Sequence, residues 1–187
     1  MSAPQSLPLP APALLAALQR ETGFTPYGNP VGNLTLGRGT MAGVAAHIAL
    51  IENRIASGSL GVKECDKLAH LFRIVALEKK PLILYLDSAG ARLSEGLAAL
   101  GAFRWMFREA LSMVRAGAPV SVCLGANCFG GASMLAALAG TRVFAANTLL
   151  AMSGPSILAQ SAGGSALDEM FRAITQAAIG VDARVRV

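Results

Sequence analysis

The 187-residue chain carries 16 Lys and Arg against 11 Asp and Glu, a net charge of +5, and 53% of its residues are hydrophobic. This apolar content excludes a disordered or fibrous chain and fits a protein with a sizeable core. The basic residues are scattered and do not alternate with aromatic residues. Binding to nucleic acid is therefore not expected.

The cysteines and histidines offer no metal site. Cys65, Cys123 and Cys128 contain no C-x-x-C pair, and His47 and His70 are well separated in the sequence. Neither a zinc ribbon nor a disulfide framework is predicted. The N-terminus lacks the basic region that begins a secretory signal. We therefore expect a cytoplasmic protein with free thiols.

Residues 116–141 carry no charge and are long enough to cross a bilayer. Glycine, proline and asparagine interrupt this stretch, which divides into a β-branched run and an Ala/Leu run on either side of a glycine turn. A buried strand followed by a buried helix explains the pattern better than a membrane span. No membrane contact is predicted.

In chain order, residues 1–33 are predicted to form an N-terminal arm and linker, and residues 34–187 one α/β domain. The arm is rich in Pro and Ser, has helical periodicity at residues 13–20, and ends in a loop at residues 26–32. The short helix is expected to dock on the body of the protein or on a partner.

The domain begins with two strand-like runs that predict an antiparallel hairpin, followed by a helix. Two strand–turn–helix units come next, which predict parallel neighbouring strands joined by a helical crossover. Further short strands and two C-terminal helices complete the pattern. The predicted strands are 34–39, 44–52, 82–86, 119–124, 142–146 and 149–151, and the predicted helices are 63–78, 97–114, 132–139, one beginning at Pro155, and 166–178. Apolar residues Leu97, Leu100, Phe103, Phe107, Leu111 and Val114 are predicted to form the core face of the helix at 97–114.

Two glycine-containing turns, at residues 87–91 and 125–131, follow the two parallel strands. Ligands collect at such strand ends, where helix N-termini present unpaired N–H groups. Glycine also lets a substrate oxygen approach the backbone closely. The turns are therefore predicted to bind a thioester oxygen as it becomes an enolate. Phosphate-loop spacing is absent, and the alternative that these glycines only permit tight packing stays open.

The residues around the turns resemble a known family. The sequence at residues 87–96 reads DSAGARLSEG and is similar to the D-S-G-G-A-R-x-Q-E-G signature of biotin-dependent acyl-CoA carboxylase carboxyltransferases. Residues 125–132 and 153–155 resemble that family's double-glycine turn and its G-P element. Residues 41–61 resemble its opening hairpin and G-S-x-G loop. The resemblance covers roughly residues 35–160, with the motifs in the family's order.

The resemblance implies an α/β fold of the ClpP/crotonase class, a crotonase-like ββα spiral that binds an acyl-CoA or acyl-carrier thioester. It implies that the Gly130 and Gly131 amides hold the thioester carbonyl, with the turn of Ala89, Gly90 and Ala91 supporting them.

Other residues at or near the two turns are also predicted to contact substrate. Candidates for substrate binding are Arg92, Cys128, Phe129, Ala132 and Gly154. The resemblance implies no cofactor bound covalently to this chain. It does imply biotin on a partner carrier protein.

Several departures from the family pattern bear on these implications. Ala89 replaces the first glycine of the signature, and Ser94 replaces glutamine. The four-cysteine zinc ribbon of the bacterial acetyl-CoA carboxylase β subunit is absent. No second crotonase-type half follows Gly180, so a partner subunit is expected to supply it in a hetero-oligomer.

The direction of the chemistry stays open. A second branch of the family decarboxylates malonyl thioesters on a carrier protein without biotin, and residues 154–164 are similar to that branch. The A-R-x-x-E-G ending of residues 91–96 favours carboxyl transfer. A non-catalytic scaffold that binds a partner through apolar faces is the third alternative.

Individual side chains allow two interpretations each. Arg92 is predicted either to pair with a substrate carboxylate or phosphate or to tie its loop to Glu95. Glu95 is a candidate acid or base, although a helix start favours a stabilising interaction with the helix dipole. Cys128 adjoins the second turn but has no identifiable base, which favours a buried thiol. Arg104, Arg108 and Arg115 are predicted either to meet phosphates or an acidic carrier, or to form a solvated helix face.

Overall fold

Seven strands and five helices are assigned in the computed structural model, which describes residues 8–154 and 176–185. Short 3₁₀ turns at Ala56–Gly58 and Leu93–Glu95 lie between them. The helices are α1 (Ala11–Thr22), α2 (Val62–Glu78), α3 (Gly96–Arg115), α4 (Gly131–Ala137) and α5 (Val181–Val185). The strands are β1 (Thr25–Pro26), β2 (Leu34–Met41), β3 (Val44–Ile51), β4 (Leu82–Ser88), β5 (Val120–Phe129), β6 (Thr141–Phe144) and β7 (Leu149–Ala151).

The described strands form one sheet in the order β1-β2-β3-β4-β5-β6, with β7 also paired to β5. The antiparallel pairing of β2 with β3 confirms the predicted hairpin. From β3 to β7 the pairings are parallel. The parallel pair of β4 and β5 confirms the predicted crossover through α3, and β3 and β4 form a further parallel pair joined by α2. The carboxyl ends of β4 and β5 therefore lie at the same edge of the sheet.

Strand β5 is longer than predicted, because it continues through Gly125 to Phe129. Its first half pairs with β6, and its second half pairs with β7 from Asn127 to Phe129. The ladder with β4 shifts register between Leu86 and Ser88. Pairing with β7 thus keeps residues 127–129 extended, where the sequence predicted a turn that begins at Gly125. The second turn shrinks to Gly130, where α4 follows.

Helices cover both faces of the sheet. One face packs against α2 and α3 around residues such as Phe72, and the other packs against α1 through Leu14, Leu15 and Leu18. The Tyr85 hydroxyl donates a hydrogen bond of 3.2 Å to the Ala11 carbonyl, which fastens α1 to β4. The predicted N-terminal helix is confirmed and docks on the body. Part of the predicted loop forms β1, which pairs with β2.

The core face of α3 differs from the prediction. Leu97, Leu100 and Leu111 are 85%, 42% and 40% exposed. Of the predicted face, Phe103 is buried, whereas Phe107 and Val114 are partly buried. The apolar residues of α3 that are buried are Ala99, Phe103, Met106, Ala110 and Met113. The helix has apolar residues on two sides, so its periodicity does not decide which side is buried, and packing against α2 does.

Two negative findings apply to residues 8–154 and 176–185. In this part of the chain no helix is long and apolar enough to cross a membrane. Nor do the side chains described there include a group of three His, Cys, Asp or Glu that would hold a metal ion. The helix predicted at Pro155 lies outside the described residues, as does most of the one predicted at 166–178; residues 176–178 are helical.

Phe72 and Leu77 of α2 provide a test of this packing. Phe72 is fully buried, whereas Leu77 is 84% exposed. We expect Phe72→Ala to lower the free energy of unfolding by about 3–5 kcal/mol, because it removes an aromatic ring and leaves a cavity. Leu77→Ala on the same helix should change it by no more than about 0.5 kcal/mol. Urea unfolding followed by circular dichroism measures both; equal losses would contradict the assigned helix face.

Candidate active site

The two glycine turns touch each other through their backbones. Gly90 has a φ of +91°, and a Cβ built on it would lie 2.9 Å from the Phe129 carbonyl oxygen and 3.0 Å from the Gly131 nitrogen. Both distances are shorter than almost all contacts that side-chain carbons make. Glycine is therefore required at position 90 for two reasons, its backbone conformation and the close approach of the second turn.

Asp87 connects the strands that carry the turns. Its carboxylate accepts hydrogen bonds of 3.1 Å from the backbone N–H groups of Ala126 and Asn127. The Asn127 side-chain amide donates a third, at 3.3 Å. These bonds hold the second half of β5 against the end of β4, where the regular ladder shifts. Asp87 therefore fixes where the second turn begins.

Most of the predicted amide donors are already engaged. The Ala89 N–H donates to the Ser57 carbonyl at 2.9 Å, and the Gly90 N–H donates to the Ser88 hydroxyl at 3.1 Å. The Gly130 N–H donates to the Ala151 carbonyl at 3.1 Å. These bonds argue against a direct contact of the three amides with a substrate oxygen. The pairing of Gly130 with Gly131 as donors stays a prediction, and of the two only the Gly131 N–H lacks an acceptor among the described residues.

Ala91 and Gly131 remain as candidate donors. Neither N–H group has a hydrogen-bond acceptor among the described residues. Gly131 begins α4, where an unpaired N–H is ordinary, and it lies beside Gly90. A Cβ on Gly131 would overlap the Phe103 ring, so glycine is also required here by packing. Each turn thus keeps one uncommitted amide, and Gly90 of the first turn lies against Gly131 of the second.

The side chains predicted to contact substrate around the second turn lie inward. Cys128 and Ala132 are fully buried, and Phe129 is 8% exposed with Gly154 against its ring. Burial, with a smaller contribution from Asp87, raises the pKa of the Cys128 thiol to about 12. A thiol in this state is not a nucleophile at neutral pH. The Cys128, Ala132 and Phe129 side chains therefore support the turn and are not available to bind substrate directly.

Arg92 ties its loop to α2. Its guanidinium donates to the buried Glu64 carboxylate, to Glu95 Oε1 at 2.9 Å, and to the Ser59 carbonyl at 2.8 Å. Burial alone would lower the pKa of Arg92, but the hydrogen bonds to the two carboxylates outweigh it and raise the pKa. With its charge matched inside the protein, Arg92 fits the predicted loop tie better than the alternative role in substrate binding.

Glu95 caps a helix other than the one it precedes. Its carboxylate accepts a 2.8 Å hydrogen bond from the Val62 N–H at the start of α2. That bond, followed by the bond from Arg92, lowers the pKa of Glu95. Glu95 therefore interacts with the start of a helix, as predicted, but the helix is α2 and not α3, which it precedes. Glu64 was not singled out from the sequence, because a lone acidic residue in a first helical turn gives no sign of burial.

The remaining candidates lie elsewhere. Arg108 stacks on Trp105, with its guanidinium carbon 4.1 Å from the ring centroid, and pairs with Glu109. His47 bonds to Tyr27 and Glu78 at the opposite end of the sheet from the turns. His70 lines a cleft of about 300 Å³ between α2 and the segment before β2.

A second cavity, of about 240 Å³, lies beside the glycine turns. Residues of α4 and β7 line it, and Ser133, Met152, Arg142 and Arg184 contribute polar or polarisable groups. Ser133 is close to the second turn in sequence and in space, because it bonds to Gly130.

Comparison with known proteins agrees with this arrangement. Residues 13–179 match the family described as the carboxyl transferase domain. This chain belongs to that family. The 12S subunit of methylmalonyl-CoA carboxyltransferase from Propionibacterium freudenreichii is 26% identical over 134 residues, which are 72% of this chain and 25% of that subunit. The acetyl-coenzyme A carboxylase carboxyl transferase subunit beta of Mesorhizobium japonicum is 28% identical over 124 residues, 66% of this chain and 40% of that subunit.

The fold is also found in a solved structure, that of a Pseudomonas malonate decarboxylase hetero-dimer. The TM-score is 0.69 at 26% identity, covering 85% of this chain and 72% of that one. This likeness confirms the predicted crotonase-like α/β fold. The chain spans less than half the length of the two curated relatives it matches.

Gly90 and Gly117 form a matched pair for testing the contact between the turns. Gly117 has a φ of +84°, and a Cβ there would meet nothing within 4 Å. Both alanine variants carry the cost of a positive φ, about 1 kcal/mol. Gly90→Ala alone must also displace the second turn, which adds about 1–3 kcal/mol of destabilisation. Chemical denaturation measures the difference, and equal losses for the two variants would show that the turns do not press together.

Substitution of Arg92 separates its two predicted roles. Arg92→Met leaves the Glu64 carboxylate buried without its partner, so we expect a loss of about 3–5 kcal/mol in the free energy of unfolding. Arg20→Met, which breaks an ion pair whose side chains are 74% and 70% exposed, should cost less than about 1 kcal/mol. If Arg92 instead bound substrate, Arg92→Met would leave the free energy of unfolding unchanged and weaken the binding of thioester.

Proposed function

We propose that this chain binds an acyl thioester, malonyl or acetyl, on CoA or a carrier protein, and stabilises its enolate during carboxyl transfer. The observation that carries the proposal is the pair of uncommitted amides, Gly131 and Ala91, where the two turns meet. The curated relatives are named for carboxyl transfer with acetyl- and methylmalonyl-coenzyme A, which fits a thioester substrate.

The chemistry needs a donor at the thioester oxygen. When the bond between C2 of a malonyl group and its carboxyl carbon breaks, the electron pair moves onto the thioester oxygen as an enolate. Carbon dioxide leaves, and a proton then adds at C2. A backbone N–H at the start of a helix can stabilise that oxygen without reorganising. In the reverse direction C2 of an acetyl thioester loses a proton, the same amide stabilises the enolate, and C2 takes the carboxyl group from a carrier, which takes up the proton in exchange.

Decarboxylation is the alternative activity. One structural neighbour is a malonate decarboxylase, and this is the observation in its favour. The retained A-R-x-x-E-G ending no longer favours carboxyl transfer, because Arg92 and Glu95 hold the loop to α2. Both directions use the same enolate, so the site proposal does not depend on the choice.

We also propose that the chain acts with a partner subunit of crotonase fold and a biotinylated or acyl carrier protein. Leu93, Leu97 and Leu100 are 74%, 85% and 42% exposed near the turns, at the start of α3. An apolar surface of this kind suits a protein interface. The solved neighbour is a hetero-dimer, which supports the same arrangement. A cytoplasmic location is consistent with three buried, free thiols.

Assay of the assembled complex tests the proposal. The chain would be purified together with the proteins it retains and given malonyl-CoA and acetyl-CoA, with and without a biotinylated carrier. Carboxyl transfer requires the carrier, whereas carbon dioxide release from malonyl-CoA without it identifies a decarboxylase. Gly90→Ala should lower kcat/KM by about 100-fold or more, because it displaces the Gly131 amide. Gly117→Ala should keep wild-type kinetics.

A scaffold without catalytic function gives a different result. An assembled complex that converts neither thioester, or that converts them equally well with Gly90→Ala, would remove the enolate-stabilising role. Gel filtration of each variant establishes that assembly is intact, so that a loss of turnover is not a loss of the complex.

A further inference from the structure

The orientation of the peptide group between Gly130 and Gly131 depends on hydrogen bonds. Gly130 has φ +56° and ψ −129°, and neither residue carries a Cβ that would favour one orientation. In a trans peptide the carbonyl oxygen and the N–H point in opposite directions. If this peptide turned over, the Gly130 carbonyl would replace the Gly131 N–H and face a developing negative charge. Something in the fold must select the productive orientation.

Ser133 holds the carbonyl end of this peptide. Its hydroxyl donates a 2.7 Å hydrogen bond to the Gly130 carbonyl oxygen, and its N–H donates a second, at 3.1 Å. Met152 Sδ is 3.2 Å from the same hydroxyl, but a thioether is the weaker acceptor. The Gly130 N–H is fixed separately by the Ala151 carbonyl. The residue before the peptide and its carbonyl oxygen are thus both fastened.

We propose that Ser133 is a positioning residue that keeps the Gly131 N–H aimed at the thioester oxygen. By binding the Gly130 carbonyl it turns that oxygen away from the enolate and sets the N–H opposite. This inference rests on the proposed function of Gly131. Ser133 itself acts through the Gly130–Gly131 peptide and needs no contact with substrate. In the sequence, this arrangement corresponds to a serine three residues after Gly130.

A purely structural serine would only stabilise the start of α4, as serine does at many helix ends. The two roles differ in what they do to a bound carbonyl group. A misaimed N–H leaves affinity for the rest of the thioester intact but polarises the carbonyl less. The test therefore measures the carbonyl directly.

The assembled complex would be saturated with acetyl-CoA labelled with ¹³C at the carbonyl, and the thioester stretch recorded by difference infrared spectroscopy. Wild type should shift the stretch to lower frequency. Ser133→Ala should lose at least about half of that shift and lower kcat about ten-fold, a smaller loss than removal of a donor, with KM within about two-fold. Ser112→Ala, at an exposed serine of α3, should match wild type.

Threonine and valine at position 133 separate the loss of the hydroxyl from a change in folding, because the two side chains have nearly the same shape. Ser133→Thr retains the hydroxyl and should keep the shift and the turnover. Ser133→Val lacks the hydroxyl and should resemble Ser133→Ala. A wild-type shift that survives in the alanine and valine variants overturns the role of Ser133 alone. A wild-type complex that shows no shift overturns the proposed function of Gly131, and the role of Ser133 with it.

Discussion

The structure depends on the close approach of two backbone segments at Gly90. A peptide chain can come this near to another only where a side chain is missing, and here the missing Cβ admits the Phe129 carbonyl and the Gly131 nitrogen. Asp87 fixes the position of the second segment by accepting hydrogen bonds from its N–H groups, and Arg92 ties the first segment to Glu64 of α2. The remaining glycines and buried side chains of the turns preserve this contact.

Local patterns were sufficient to predict much of this fold. Alternating and continuous apolar runs gave the hairpin of β2 and β3 and the parallel strands β4 and β5, because burial on one or both faces dictates those patterns. The double glycine pointed to the second turn. The family motifs added the crotonase-like class, which periodicity alone does not distinguish from other α/β folds.

Other features depend on contacts that no local pattern contains. The length of β5 follows from its pairing with β7, and the buried face of α3 follows from its packing against α2. The engagement of the Gly130 amide depends on Ala151, which comes later in the chain. Glu64 is buried because Arg92 reaches it from another segment. In each case a distant partner decides between local conformations that the sequence leaves nearly equal.

The change of partner along β5 has a mechanical consequence. Beyond β6 the strand is held by β7, a short strand of three residues. β7 in turn is held by a bridge to Gly180 and by the Arg184 side chain, which donates to the Leu150 carbonyl at 3.1 Å. A shift of the C-terminal helix would therefore reach Gly130 through one short strand. Residues close to the end of this sequence restrain the turn without touching it, and their removal would loosen it.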